Sequence, residues 1–325
     1  MKVLIVKTSS MGDILHTLPA VTDAMNILPK ICFHWVVEED FLQIPAWHPA
    51  VARVIPVAIR RWRKHWFGRQ QSKERRQFKT ELQLNKYDLI IDAQGLIKSA
   101  VLITRLAQGK KHGYNCQSAR ESFAGWWYDK GHRINKDQHA IERTRELFSK
   151  CLDYKKPKNL GNYAIAEHFS SSLTNNTYEY LIFIHSTTDT NKHWPELYWR
   201  KLIQYIQSNI LKIKLPWGLK HEYLRACRLA KGFKYVEVLP KLTLEQIAMQ
   251  LIGARAVVSV DTGLSHLTAA LGRPNITLYG PTYSQLIGSY GKNQISLTSS
   301  TQHLSDLKVE YVLPYLQSIL DKNIL

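Results

Sequence analysis

Short apolar runs and helix-spaced segments alternate along nearly the whole chain. Met1-Lys-Val-Leu-Ile-Val6 reads as a buried strand, Lys7-Thr-Ser-Ser-Met-Gly-Asp13 as a small-residue loop, and Ile14 to Ile27 as a helix by the spacing of its apolar positions. His34–Glu38, Arg53–Val57 and Tyr87–Asp92 supply further strands, the last followed by Gln94-Gly95 and a helix from Ile97. From Tyr154 to Thr177 turn-forming residues dominate, which marks a candidate linker. The alternation then restarts. Tyr180–Ile184 is a strand, His185 to His193 a polar loop, and Pro195 suits the first turn of a helix. Leu211–Leu215, Val236–Val238 and Val257–Val260 complete the set, with Thr243-Leu-Glu-Gln246 as a capping box between the last two. Strands that alternate with helices predict parallel sheets, here in two α/β domains, 1–165 and 166–325, with a cleft between them. A last helix at about 305–325 is expected to return to the first domain, by analogy with other two-domain α/β proteins.

The stretch 257–282 carries the most chemical information. Its first strand ends in Asp261-Thr262-Gly263, a small-residue helix follows, and a second apolar run closes with Gly280-Pro281-Thr282. In open α/β sheets ligands bind at strand carboxyl ends, and a helix N-terminus there offers free N–H groups to an anion. Thr262 or Asp261 can cap the helix, and Gly263 lets a phosphate come close to the backbone. An ordinary capped helix has the same sequence, so the turn gains meaning from its companions. These are His185-Ser-Thr187-Thr188 and Lys192, which together suit a diphosphate. His266, one turn into the helix, reads on its own as a structural histidine.

Composition narrows the class. The 325 residues are 45% hydrophobic and 22% charged, as in a folded globular protein, and suffice for two domains. No apolar run nears the roughly 18–20 residues of a membrane span, and Lys7 ends the first strand too early for a signal peptide; a cytoplasmic protein is expected. The four cysteines have neither Cys-x-x-Cys nor zinc-finger spacing, so neither a disulfide framework nor a structural zinc is expected, and the thiols should be reduced. Dinucleotide and P-loop glycine motifs are missing, which counts against a dehydrogenase or an NTPase. The net charge of +18 calls for a polyanionic partner: nucleic acid, an anionic membrane face or a phosphorylated substrate.

Two further constellations bear on chemistry. Asp13, just before the first predicted helix, is expected to be ionised by the helix dipole. Such a carboxylate serves either as a helix cap or as a base that takes a proton from an attacking hydroxyl. Arg60-Arg-Trp-Arg-Lys64 opens the densest basic stretch, which runs through Arg76 with interleaved aromatics. It fits phosphate and carboxylate binding, a membrane interface, a single-stranded nucleic acid, or a solvated helix face. Arg120, with His139 and Arg143 at i, i+4 on a predicted helix, extends the same basic character.

These residues resemble the ADP-heptose:lipopolysaccharide heptosyltransferases of glycosyltransferase family 9, nearly end to end. The resemblance rests on Lys7-Thr-Ser-Ser-Met-Gly-Asp-Ile-Leu-His-Thr-Leu-Pro19, Val54–Lys64, Asp92-Ala-Gln-Gly95, Lys192-His-Trp-Pro195, Lys214-Leu-Pro-Trp-Gly218 and Ser259–Ala270. The Arg-Arg-Trp-Arg-Lys run favours the enzyme that adds the first heptose over its sisters. The family implies a GT-B fold of two facing Rossmann-like domains, an inverting mechanism and no obligatory metal or other cofactor. It implies Asp13 as general base and Lys192 offsetting charge on departing ADP, helped by Thr187, Thr188, Thr262 and Gly263. Glu222 would meet the ribose, Leu242 the adenine (where a Met is expected), and Asp261 and His266 would hold the sugar or order the site. Ser10, Arg60, Arg61, Arg63, Lys64, Arg120, His139 and Arg143 would meet the phosphates and carboxylates of the acceptor, Kdo-lipid A.

The reading that follows is a monomeric heptosyltransferase taking ADP-heptose and Kdo-lipid A, peripheral on the cytoplasmic face of the inner membrane, with no nucleic acid as partner. A sister enzyme adding a later heptose, and a basic nucleic-acid-binding protein, stand as alternatives. The second explains the charge but leaves Asp13, Lys192 and the Asp261 turn without a purpose.

Overall fold

A computed structural model describes residues 1–172, 179–206 and 211–322. Two compact units divide after Ala164. The first holds β1 (Lys2–Val6), β2 (Cys32–Glu38), β3 (Val51–Val57), β4 (Lys86–Asp92), β5 (Gln108–Tyr114) and β6 (Lys130–His132). The second holds β7 (Tyr180–Ile184), β8 (Lys212–Leu215), β9 (Val236–Val238), β10 (Ala256–Val260), β11 (Asn275–Tyr279) and β12 (Gln294–Thr298). Their orders, β3-β2-β1-β4-β5-β6 and β12-β11-β10-β7-β8-β9, describe one topology used twice. Every described strand pair is parallel. This is a doubly wound α/β architecture with one reversal of strand order per sheet, at β1/β4 and at β7/β10.

The apolar runs seen in the sequence are the central strands. β1 and β10 are buried along almost their whole length, because a parallel sheet is covered on both faces. β5, β6 and β12 were not expected. Gln108-Gly-Lys-Lys-His-Gly-Tyr114 has no apolar run, Lys130-Gly-His132 is three residues long, and β12 is a half-buried outer strand. The helix expected from Ile14 to Ile27 is two, Met11–Leu15 and Leu18–Ile27. Pro19 lies in the first turn of the second and, lacking an N–H, cannot continue the first. The Thr243 box forms as expected: Thr243 Oγ1 accepts from Gln246 N, and Gln246 Oε1 accepts from Thr243 N.

The second core is built on large side chains. Trp194 and Trp199 meet edge to face at 5.0 Å, with Phe183 5.4 Å from Trp199. Burying each contributes about 1.5–3 kcal/mol. The helix Val309–Lys322 places Val309, Val312, Leu316 and Leu320 in this same cluster. The part of the expected C-terminal helix at 323–325, and residues 173–177 of the expected linker, lie outside the described residues.

One buried ion pair ties the first unit to its outgoing chain. Arg145, 1% exposed, donates to Asp23 at 2.7 and 3.3 Å, to Glu142 at 2.8 Å, and to the carbonyls of Pro157 and Asn159. It joins the helices Leu18–Ile27 and Ala140–Leu152 to the segment leaving the unit. Asp23→Ala should lower the unfolding free energy of this unit by about 3–5 kcal/mol, because a buried guanidinium loses its main counter-charge. A urea titration reads this as a lower midpoint; an unmoved midpoint would mean that Glu142 and the two carbonyls suffice.

Candidate functional site

Every predicted site residue falls on the carboxyl edge of one of the two sheets, a consequence of the all-parallel pairing. In the second unit the loops after β7 and β10 flank the strand-order reversal. Across it Lys192 Nζ donates to Asp261 Oδ2 at 2.7 Å, and Thr282 Oγ1 donates to the same oxygen at 2.6 Å. Asp261 is buried while the Lys192 side chain stays 26% exposed, so the pair presents an ammonium to the loop crevice with its position already fixed. Burial strengthens this attraction beyond that of a surface pair.

Thr262 takes the N-cap position of the helix Gly263–Ala270, but its side chain makes no capping bond. Asp261 does not cap either, since its carboxylate is turned to Lys192 and Thr282. The helix start is closed instead by Ser265, whose N–H and hydroxyl donate to the Thr262 carbonyl. The amides at Gly263 and beside it are therefore available to an anion by the ordinary geometry of a helix start. His266 is buried one turn further on.

The Lys192-His-Trp-Pro195 motif divides its labour. His193 Nε2 donates to the Thr187 carbonyl at 2.8 Å and closes the loop that carries Thr187 and Thr188. Trp194 is fully buried and donates to the Leu307 carbonyl. His185 follows β7 directly and is fully buried; burial, with the nearby charge of Arg225, pulls its pKa down to about 3 and keeps the ring neutral. Glu222, after β8, accepts from the N–H groups of Gly218 and Leu219 at 2.7 and 2.9 Å. Leu242 lies partly buried after β9. His193 and Thr282 were missed in the sequence, although both stand inside stretches it singled out.

In the first unit the reversal lies between β1 and β4. Asp13 belongs to the short helix itself, at its third position, rather than to the loop before it. Its Oδ2 accepts from the N–H and hydroxyl of Ser10 at 2.8 and 3.1 Å. Lys7 Nζ lies 3.7 Å from Oδ1 and donates to the Ala93 carbonyl on the β4 loop. Burial raises the Asp13 pKa, but Lys7, both Ser10 hydrogen bonds and the charge of Arg120 outweigh it and hold the carboxyl below its ordinary value. Asp13 is therefore ionised at neutral pH, and still about one-third exposed. The β4 loop is folded by Asp92, fully buried, which accepts from Gln94 N, Gly95 N, Ser99 Oγ and Thr104 Oγ1. Gln94 Oε1 in turn accepts from Thr8 N and Ser9 N. Gly95 sits at φ +65° with Tyr114 so close that a Cβ would meet its ring at 3.3 Å.

The basic candidates share this edge. Arg120 is exposed and close enough to act on Asp13. Arg143 donates to the Ser118 carbonyl and lies 5.5 Å from the Tyr114 ring. His139 is the N-cap of the helix Ala140–Leu152, with extended backbone and Nδ1 accepting from Ile141 N. It therefore does not share a helix face with Arg143, as the i, i+4 spacing had implied; its ring lies 5.4 Å from His16. Arg60 to Lys64 follow β3, two strands or about 10 Å from β1. Arg60, Arg63 and Lys64 are exposed, whereas Arg61 is held by Glu39 at 2.9 Å and Glu74 at 2.9 Å. Behind them opens an apolar groove of about 340 Å³ walled by Trp62, Trp66 and Phe78, with exposed Arg76 and Lys79 among its lining.

Two doubly wound parallel domains, each with charged groups at its strand-order reversal, give the chain the GT-B architecture. Residues 75–316 match the family model of glycosyltransferase family 9 (heptosyltransferase). Lipopolysaccharide heptosyltransferase 1 of Escherichia coli K12 is 59% identical over 319 residues, 98% of this chain and 100% of that one. The E. coli heptosyltransferase WaaC with ADP superposes with a TM-score of 0.96 at 59% identity, over 98% of this chain and 100% of that one. The same enzyme with ADP-2-deoxy-2-fluoro heptose gives 0.93 at 58%, over 98% and 99%. The chain belongs to glycosyltransferase family 9, the heptosyltransferases, and is an enzyme of heptose transfer in lipopolysaccharide inner-core synthesis.

Proposed function

We propose that the enzyme moves L-glycero-D-manno-heptose from ADP-heptose to a Kdo hydroxyl of Kdo-lipid A, with inversion at the anomeric carbon. The observation that carries this reading is Asp13, ionised and partly exposed at the β1/β4 reversal with cations around it. Such a carboxylate takes the proton of the Kdo hydroxyl as its oxygen attacks from the face opposite ADP. Ser10, Arg60, Arg63, Lys64, Arg120, His139 and Arg143 meet the acceptor's phosphates and carboxylates; Arg61 joins them by exchanging one of its glutamates.

In the second unit Lys192 meets the charge that grows on the diphosphate as the glycosidic bond breaks. Asp261 and Thr282 hold its ammonium in place beforehand, so little reorganisation is needed at the transition state. Thr187, Thr188 and the amides after Thr262 receive phosphate oxygens. Glu222 binds the ribose, Leu242 packs on the adenine, and His266 orders the sugar side. The reading needs no metal, because Lys192 and the helix start supply the positive charge.

Docking at an anionic membrane face is part of the same reading. No helix among the described residues is long and apolar enough to cross a membrane. Residues 60–83 hold nine Lys and Arg against two Glu, and Phe67 within them is 93% exposed. Trp126, 74% exposed, stands against Phe123 at 4.9 Å in the segment after β5. Basic clusters with exposed aromatics suit an interfacial position.

ADP release from ADP-heptose should require Kdo-lipid A that lacks heptose. Activity only on an acceptor already bearing one heptose would move the assignment to a sister enzyme. Asp13→Ala should abolish turnover while ADP still binds, and Lys192→Ala should lower kcat by ~10²-fold or more. Turnover near normal in the first, or a raised KM alone in the second, would remove the assigned role. Because the base must be ionised and its pKa is held below the usual aspartate value, the acid limb of kcat/KM should lie at lower pH than an ordinary aspartate would set. Lys7→Met removes a stabilising positive charge, so the same limb should move to higher pH. For the membrane, sedimentation with phosphatidylglycerol vesicles should be salt-dependent and weakened in Phe67→Ser/Trp126→Ser; equal binding by the double variant would leave the aromatics without a docking role.

A further inference from the structure

His112, His132 and Cys151 stand far apart in sequence and together in the fold, on the edge of the first sheet. His112 lies on β5 and His132 ends β6. The register pairs His112 with Lys130 and Tyr114 with His132, so both histidines project from one face of the sheet. Cys151 comes down on that face from the helix Ala140–Leu152 and is a buried free thiol. The donor atoms of all three lie within 4.8 Å of one another. His132 Nε2 and His112 Nδ1 are 3.2 Å apart.

We propose that these three residues form a zinc(II) site that clamps β5, β6 and the helix together. A tetrahedral zinc with ordinary Zn–N distances separates two imidazole nitrogens by about 3.3 Å, close to the spacing found here. The matching N···S edge is about 3.6 Å, within reach by small rotations of the Cys151 and His112 side chains. Two imidazoles and a thiolate with no carboxylate among them select a borderline-soft ion over magnesium or calcium. Three protein ligands leave the fourth position to water. On binding, the Cys151 S–H proton is released to solvent and the thiolate offsets one positive charge of the ion. That matters here because Lys130 and Lys110 stand near His112, offset only by Asp129, and Lys130 and Lys150 stand near His132.

The mechanical argument is independent of the ligand chemistry. β6 is a three-residue edge strand paired on one side only, a weak attachment for the segment that leads to His139. A metal bonded to β5, β6 and the far end of the helix fixes the whole crossover. Arg143, eight residues before Cys151, sits about 12 Å up the same helix, and its position follows from the clamp. No part in the transfer reaction is implied.

The test uses the full-length enzyme, stripped with a chelator and titrated with cobalt(II) and zinc(II). We expect one cobalt bound per chain with a thiolate-to-cobalt charge-transfer band, displaced by one zinc, and a zinc-dependent rise in unfolding temperature. Cys151→Ser should lose the band. His112→Gln, at the one partly exposed position of the three, should bind zinc at least tenfold more weakly and lose the thermal shift. Cys227→Ser, in the other unit, should behave as the wild type. Failure of the wild type to bind one equivalent at micromolar free zinc overturns the site, as does unchanged affinity in His112→Gln or a retained band in Cys151→Ser. Because metal binding and unfolding are read without substrate, these outcomes are separate from any result on heptose transfer.

Discussion

In a fully parallel sheet every strand delivers its next loop to the same edge, and where strand order reverses, two neighbouring loops diverge and leave a crevice. This protein uses that constraint twice, at β1/β4 and at β7/β10. The consequence is that residues separated by up to 86 positions, such as Thr8 and Gln94, become hydrogen-bonded neighbours. Neither crevice needs a dedicated loop insertion. Their chemistry is set by which polar residues terminate the two central strands.

Both reversals carry a Lys and an Asp, and the difference between the two pairs matches the tasks proposed for them. At β7/β10 the contact is a direct 2.7 Å bond to a buried carboxylate that also accepts from Thr282. There the carboxylate is spent on positioning and the ammonium is the group left to act. At β1/β4 the contact is looser, 3.7 Å, and the Lys7 ammonium donates to a backbone carbonyl instead. There the ammonium is spent on positioning, and Asp13 keeps its charge with an oxygen still open to the crevice. Two similar pairs thus give opposite results, a held cation and a held anion, through the second partner each one finds.

Much of this was legible in the sequence because the central strands of a parallel sheet are long apolar runs and the residues that follow them are polar and small. Lys2–Val6, Tyr180–Ile184 and Ala256–Val260 are of this kind, and so are the loops that carry Asp13, Lys192 and Asp261. Outer strands are half covered and need no such run, so β5 with its two lysines and two glycines carries no readable signal. Pairings were illegible for a different reason. Lys192 and Asp261 were each singled out, yet nothing in a linear chain says that 69 residues of separation close to a hydrogen bond. Arg61 shows the same limit from the other side. It reads as one of a free basic cluster until the fold brings Glu39, from just after β2, against it.

The charge itself has a geometric explanation in the first unit. Basic residues at 60–64, 120 and 143 come from segments well separated in the chain, but β3 and β5 and the helix after β6 all open toward one edge. Like charges gathered on one edge repel, and carboxylates placed among them relieve this only locally, as Glu39 and Glu74 do for Arg61. Most of the edge is left uncompensated, a standing cost that a protein carries where an anionic partner will neutralise it. Exposed aromatics in the same segments, Phe67 and Trp126, would be a further liability on a surface that met only water. A partner that is both anionic and apolar, as the face of an anionic membrane is, would remove both costs at once.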